Sequence, residues 1–117
     1  MKKYLPGDLS DLAVQSRMQE WIESRSNRCY ELELYNELPE EIKIVLDEWV
    51  RTSIVPDDTG KSQRSSYGLK ADFFRDTGIY IFTGPMDASL QKAGYKPMNS
   101  DEKDFWYNVR YCCSKNC

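Results

Sequence analysis

The sequence predicts a small, mostly helical α+β domain. Three observations carry that prediction. Ile42, Val45, Leu46, Trp49 and Val50 recur at helical spacing after Pro39. Two further helical segments, opened by serine and by Thr83 with Pro85, are separated by Thr77-Gly78. Finally, Phe105-Trp106-Tyr107-Asn108-Val109 is short and aromatic, as strands are. Helix, tight break, helix, aromatic strand is the order of a helix–turn–helix followed by a wing. The C-terminal half is therefore expected to be winged-helix-like, with a short β-hairpin.

The elements follow in chain order. Residues 8–26 read as a helix in which Leu9, Leu12, Val14, Met18, Trp21 and Ile22 recur at three and four, with Asp8 as its cap. Tyr30 to Tyr35 alternates with period two, which suits a short strand or an extended lead-in. Pro39 fits the first turn of the next helix, where Glu40 and Glu41 meet the positive end of its dipole. Its other face, Lys43, Asp47, Glu48 and Arg51, is expected in solvent. Val55 to Gln63 is a polar connection containing Pro and Gly.

Ser65 or Ser66 then caps a helix that buries Leu69, Phe73 and Phe74, and Gly78 ends it. Ile79 to Phe82 favours extended backbone. In the following helix Met86, Leu90 and Ala93 share a face, and Gly94 stops it. Pro97 to Asp104 is a polar turn before the last strand. Trp21, Trp49 and Trp106 each sit on an apolar face and are assigned to the core.

At 117 residues the chain fits one domain with one core, residues 1–117. Its charge is uneven. Residues 1–60 hold 7 Lys and Arg against 13 Asp and Glu, and residues 61–117 hold 9 against 6. An acidic helical half thus precedes a mildly basic one, which bears on partners rather than on fold. No apolar run approaches the ~20 residues of a membrane helix, so no membrane role is expected. The first residues carry lysines with no apolar stretch behind them, unlike a signal peptide. Three of the four cysteines (29, 112, 113 and 117) crowd the last six residues. A secreted disulfide scaffold spreads its cysteines, so a reducing compartment, the cytoplasm of a bacterial cell, is expected.

The available chemistry is limited. There is no histidine, the usual general base and commonest metal ligand. Thr59-Gly60-Lys61-Ser62 ends like a phosphate loop, but Val55 stands where the upstream glycine is required. It reads as a turn. The acid pairs Glu40/Glu41, Asp57/Asp58 and Asp101/Glu102 are adjacent in sequence, and adjacent side chains on a helix do not face each other. Cys112 and Cys113 would point to opposite faces of a strand, a poor start for a tetrahedral zinc site with Cys29 and Cys117. Neither an enzyme nor a cofactor or metal is expected.

Two binding readings remain. Lys61, Arg64, Lys70, Arg75, Lys92, Lys96 and Arg110 lie in the basic half. In a helix–turn–helix, the second helix would present Ser89, Gln91 and Lys92 outward, with glutamine for adenine and lysine for guanine or phosphate. The candidate nucleic-acid set is Arg64, Lys70, Arg75, Ser89, Gln91, Lys92 and Lys96. Asp87 on the same helix would repel phosphate, and the chain as a whole is acidic. The competing set is an acidic face made of Glu31, Glu33, Glu37, Glu40, Glu41, Asp47 and Glu48.

Ser66-Tyr67-Gly68-Leu69-Lys70, Thr77-Gly78-Ile79-Tyr80 and Ala93-Gly94-Tyr95 together resemble a short module found in proteins of bacteriophages and mobile elements. The pattern is S-Y-G-L-K, then T-G-x-Y, then a helix closing on A-G-Y or A-G-F. It covers little more than a quarter of the chain. Leu90 stands where that pattern has Met, Ala71 where it often has His, Met86 where it has Phe, and Asp87 where it has a basic residue. The last departure weakens any transfer of DNA contact. The resemblance implies an accessory protein that binds and blocks a host defence nucleoprotein such as a CRISPR effector, as anti-CRISPR proteins do. Its acidic face would mimic DNA and compete for a basic DNA channel. The alternatives are a winged-helix-like DNA-binding regulator and a phage structural or assembly factor.

Overall fold

A computed structural model describes residues 12–57, 59, 61–99 and 105–112. Asp8, Leu9, Asp58, Gly60, residues 100–104, Cys113 and Cys117, and the side chains of residues 12–17, lie outside the description. The architecture is a mostly helical α+β domain with two short, two-stranded antiparallel sheets. Helix α1 spans Leu12–Arg25, and 3-10 helices follow at Ser26–Arg28 and Leu32–Glu37. Then come α2 (Glu40–Ser53), β1 (Ile54–Pro56), β2 (Arg64–Ser65), α3 (Ser66–Thr77), α4 (Thr83–Lys92), β3 (Trp106–Tyr107) and β4 (Val109–Tyr111).

The apolar stripe of α2 is buried along its length, with Ile42, Leu46 and Trp49 fully enclosed. Glu40 and Glu41 occupy its first turn as expected. The helix stops where Ile54 turns extended and enters β1. Ser65 caps α3, its Oγ accepting from the Gly68 amide at 3.1 Å. Gly78 ends α3 at φ 76°, a left-handed conformation that costs glycine nothing.

Helix α4 is the centre of the molecule. Residues Thr83 to Asp87, Ser89 and Leu90 are all buried, and the helix packs on the second 3-10 helix, α3 and α2. Its first turn contains Pro85, which lacks the amide that such positions leave unpaired. The Gly84 amide is satisfied from outside the helix, donating to the Cys29 carbonyl at 2.9 Å.

Several expectations are corrected. Residues 32–37 form a 3-10 helix, not a strand, because adjacent Leu34 and Tyr35 are both buried and Leu38 returns four residues on. A strand would have sent neighbours to opposite faces. Ile79 to Phe82 joins neither sheet, although Phe82 is extended where it leads into α4. The expected hairpin does not form: β3 and β4 do not pair with each other but with earlier strands. β1 meets β4 with Ile54 opposite Tyr111, and β2 meets β3 with Ser65 opposite Trp106. The C-terminal strand is thus paired first with the chain before α3 and then with the chain after α2. Asp57 N–H to Asn108 O and Ser66 N–H to Phe105 O, both 2.9 Å, extend these ladders.

Along that strand burial alternates, with Phe105, Tyr107 and Val109 inside and Trp106, Asn108 and Arg110 outside. Trp106 is therefore 40% exposed rather than core. Phe74 and Ala93 also face solvent. Buried side chains from both halves, Met18 to Val109, make one hydrophobic cluster. Among the described residues no helix is long and apolar enough to cross a membrane.

Candidate functional site

The densest polar cluster joins three elements. Asp47 of α2 accepts from the Tyr35 hydroxyl at 2.5 Å, from Ser89 Oγ at 2.8 Å and from Lys92 Nζ at 2.9 Å. Lys92 Nζ also donates to the Tyr35 hydroxyl at 2.9 Å. Burial pushes the Asp47 carboxyl up, but the three hydrogen bonds outweigh it and hold the group below its ordinary range. Hydrogen bonds to Tyr35 and Asp47 raise the Lys92 ammonium, while burial and the Asp47 carboxylate raise the Tyr35 phenol. Each group is thereby fixed further into its ordinary charge state at neutral pH. Ser89 is buried and its hydroxyl donates a hydrogen bond to a carboxylate that has lost basicity. The geometry is that of a tie holding the second 3-10 helix, α2 and α4 together. Open grooves of about 340 and 350 Å³ flank it on either side of Lys92.

A second cluster is likewise internal. Asp76 accepts from Trp49 Nε1 at 2.8 Å and from the Tyr111 hydroxyl at 2.6 Å. Arg75 lies over the Tyr111 ring and pairs with Asp72, which also receives Arg64. Buried Tyr107 donates to Asp87 at 2.9 Å. In the segment resembling a phosphate loop, the Thr59 and Ser62 amides donate to Asp57 at 3.1 and 2.8 Å. A carboxylate occupies the amides an anion would need, which agrees with a turn.

The proposed DNA-reading set is not presented on one surface. Ser89 is 2% exposed and Gln91 is turned to the Tyr107 hydroxyl. Asp87 is fully buried, so it does not stand where it would repel phosphate. The reason is that α4 is enclosed on several sides, leaving Lys92 and Lys96 exposed at its end. Arg64, Arg75 and Lys92 are each committed to carboxylates.

The acidic set is also largely compensated. Glu31 pairs with Arg28, Glu37 with Arg25 and Arg28, Glu40 with Lys43, Asp47 with Lys92 and Glu48 with Arg51. Glu33 is exposed and Glu41 half-buried. Asp47 faces α4, not open solvent. The arginine hydrogen bonds, Arg28 first, hold the Glu37 carboxyl at about 2. Cys112 is buried and disulfide-bonded, which runs against the expectation of a reducing compartment, whereas Cys29 is free. Among the described residues no group of acids and cysteines could hold a metal ion.

What sequence reasoning passed over is the outer face of α3. Leu69 and Phe73 point inward. Tyr67, Lys70 and Phe74, spaced at three and four, point outward, with Tyr67 63% and Phe74 52% exposed. Tyr80 from the α3–α4 link lies edge-on to Phe74 at 6.5 Å and to Phe82 at 5.9 Å. The Lys70 ammonium sits 4.9 Å from the Tyr67 ring centre and 4.4 Å from that of Tyr80. The signal was present: a helix needs only one apolar stripe to fold, and α3 carries two large aromatics, Tyr67 and Phe74, off that stripe.

Compared with known proteins, no family model, curated protein or solved structure matches this chain.

Proposed function

We propose that this chain is a non-enzymatic accessory protein of a phage or mobile element, which binds a host defence nucleoprotein and blocks it in the manner of anti-CRISPR proteins. The observation that carries the reading is the exposed set Tyr67, Phe74 and Tyr80 around Lys70, large aromatic side chains of the kind that anchor protein interfaces. The conspicuous polar groups are consumed in ties between elements, and this too favours action by surface complementarity. The reading differs from DNA mimicry in where contact is made. The acids set an overall negative field, which steers the protein toward basic partners, while the aromatic face supplies the anchor. The site of action is then the cytoplasm of the infected or element-carrying cell.

The winged-helix regulator reading finds no support in the enclosure of α4. The test is a mobility-shift titration with duplex DNA at two salt concentrations, beside capture of a host nucleoprotein. The expected result is no duplex shift at moderate salt, with capture lost in the Tyr67→Ser/Phe74→Ser double variant. DNA affinity that falls steeply with salt and disappears in Lys92→Ala/Lys96→Ala would overturn the proposal.

A further inference from the structure

On the aromatic face lies a small notch of about 110 Å³, whose walls include Tyr30, Tyr67, Lys70, Tyr80 and Phe82, with Cys29 and Thr83 completing its lining. Resting on the reading of this face as a docking surface, we infer that the notch receives one carboxylate side chain, an Asp or Glu on an extended segment of the partner protein.

Size supports this. Small-molecule sites run to ~300–1,000 Å³, and a water takes ~30 Å³. The notch therefore fits one side-chain head and excludes a nucleobase together with its sugar.

Charge supports it too. Among the described residues Lys70 is paired with no carboxylate; its ammonium is held by two ring faces and by the Tyr80 hydroxyl at 3.3 Å. An ammonium carries three donors, of which that contact uses one. The Tyr80 oxygen accepts from Lys70, so its own O–H remains to donate. An anion entering the notch meets an ammonium and a hydroxyl proton together, a charge-assisted arrangement. Around it Phe74 and Tyr67 form an apolar rim, against which residues beside the acid can pack and exclude water.

A single-stranded nucleic acid is the less suitable occupant. Stacking platforms of that kind lie along a cationic track, and the neighbouring Arg64 and Arg75 are already paired with Asp72.

The test pans a displayed library of random dodecapeptides on the intact protein and measures the selected peptides by fluorescence anisotropy. Oligothymidine serves as the competitor. Supporting results are enrichment of one acid at a fixed position next to an apolar residue, a loss of about ten-fold when that acid becomes its amide, and the same loss in Lys70→Gln. Lys70→Arg should retain most of the binding, and thermal unfolding of each variant checks folding. Enrichment of acid-free peptides, equal binding by Lys70→Gln, absence of any bound peptide, or displacement by oligothymidine would each overturn the inference. If the host partner is captured equally by Lys70→Gln yet lost in Tyr67→Ser/Phe74→Ser, the docking surface stands and the carboxylate notch falls.

Discussion

Gly84 and Glu31 approach so closely that a side chain at Gly84 has no room. A Cβ there would stand 2.1 Å from the Glu31 carbonyl oxygen and 2.6 Å from its carbonyl carbon. Both atoms are backbone, so no rotamer change relieves the contact. The start of the second 3-10 helix is laid directly on the first turn of α4. Gly84→Ala is expected to destabilise the fold by about 1–3 kcal/mol or more, the cost of overpacking. Denaturant unfolding measures it, and an unchanged midpoint would show that the two elements part easily.

The Asp47 tie is expected to be asymmetric. Asp47→Ala strands buried Ser89 and the Tyr35 hydroxyl, and should cost about 1–3 kcal/mol. The exposed Lys92 end is screened by solvent, so Lys92→Met should cost clearly less than Asp47→Ala. Equal losses in the two variants would count against this division.

Acid should loosen the fold. Glu37, Asp47 and Asp57 all have folded-state carboxyls below their ordinary range: Glu37 through Arg28 and Arg25, Asp47 through its three donors against the opposing pull of burial, and Asp57 through Thr59 and Ser62. The unfolded chain then takes up protons first as pH falls. Their stabilisation is complete above the ordinary carboxylate pKa and drains away below it, for Glu37 between about 4.5 and about 2. Thermal midpoints measured from pH 6 to pH 2 should fall, and the fall should be shallower in Glu37→Gln.

Tyr107→Phe keeps the ring and removes only the hydroxyl that donates to buried Asp87. The expected loss is about 1–3 kcal/mol, because a buried carboxylate oxygen loses its donor. Thermal unfolding reads the change, and a loss well under 1 kcal/mol would mean that the remaining environment of Asp87 suffices.

The outer face of α3 should be separable from stability. Tyr67→Ser and Phe74→Ser sit at exposed positions and should each shift stability by about 0.5 kcal/mol or less. Binding is the property they should remove. A large stability loss would reveal Tyr67 and Phe74 as packing residues.

Local signals were read well where one element settles its own form. The α2 stripe, the Ser65 cap and the Gly78 stop depend on spacing within a few residues, and all three are found in place. Residues 32–37 were misread because Tyr30 to Tyr35 alternates like a strand, and the pressure toward helix comes from α4, some fifty residues away. The candidate site fared worse for a related reason. Asp47, Ser89 and Lys92 were assigned to two opposed binding surfaces, but in the fold they are hydrogen-bonded to one another. Trp106 was assigned to the core as part of an apolar face, though its place between Phe105 and Tyr107 already put it on the other side of a strand.

By itself the sequence determined the composition of this protein's core helices, their caps and breaks, and the lack of histidine chemistry. Only the tertiary structure decided that α4 is a central helix instead of an exposed one, that the charged residues largely neutralise each other, and that Tyr67, Lys70 and Phe74 are left facing outward with Tyr80 beside them. The physical reason is range. Helix periodicity and capping act within one or two turns, whereas burial of a helix face and pairing of a charge depend on what a distant segment lays against it.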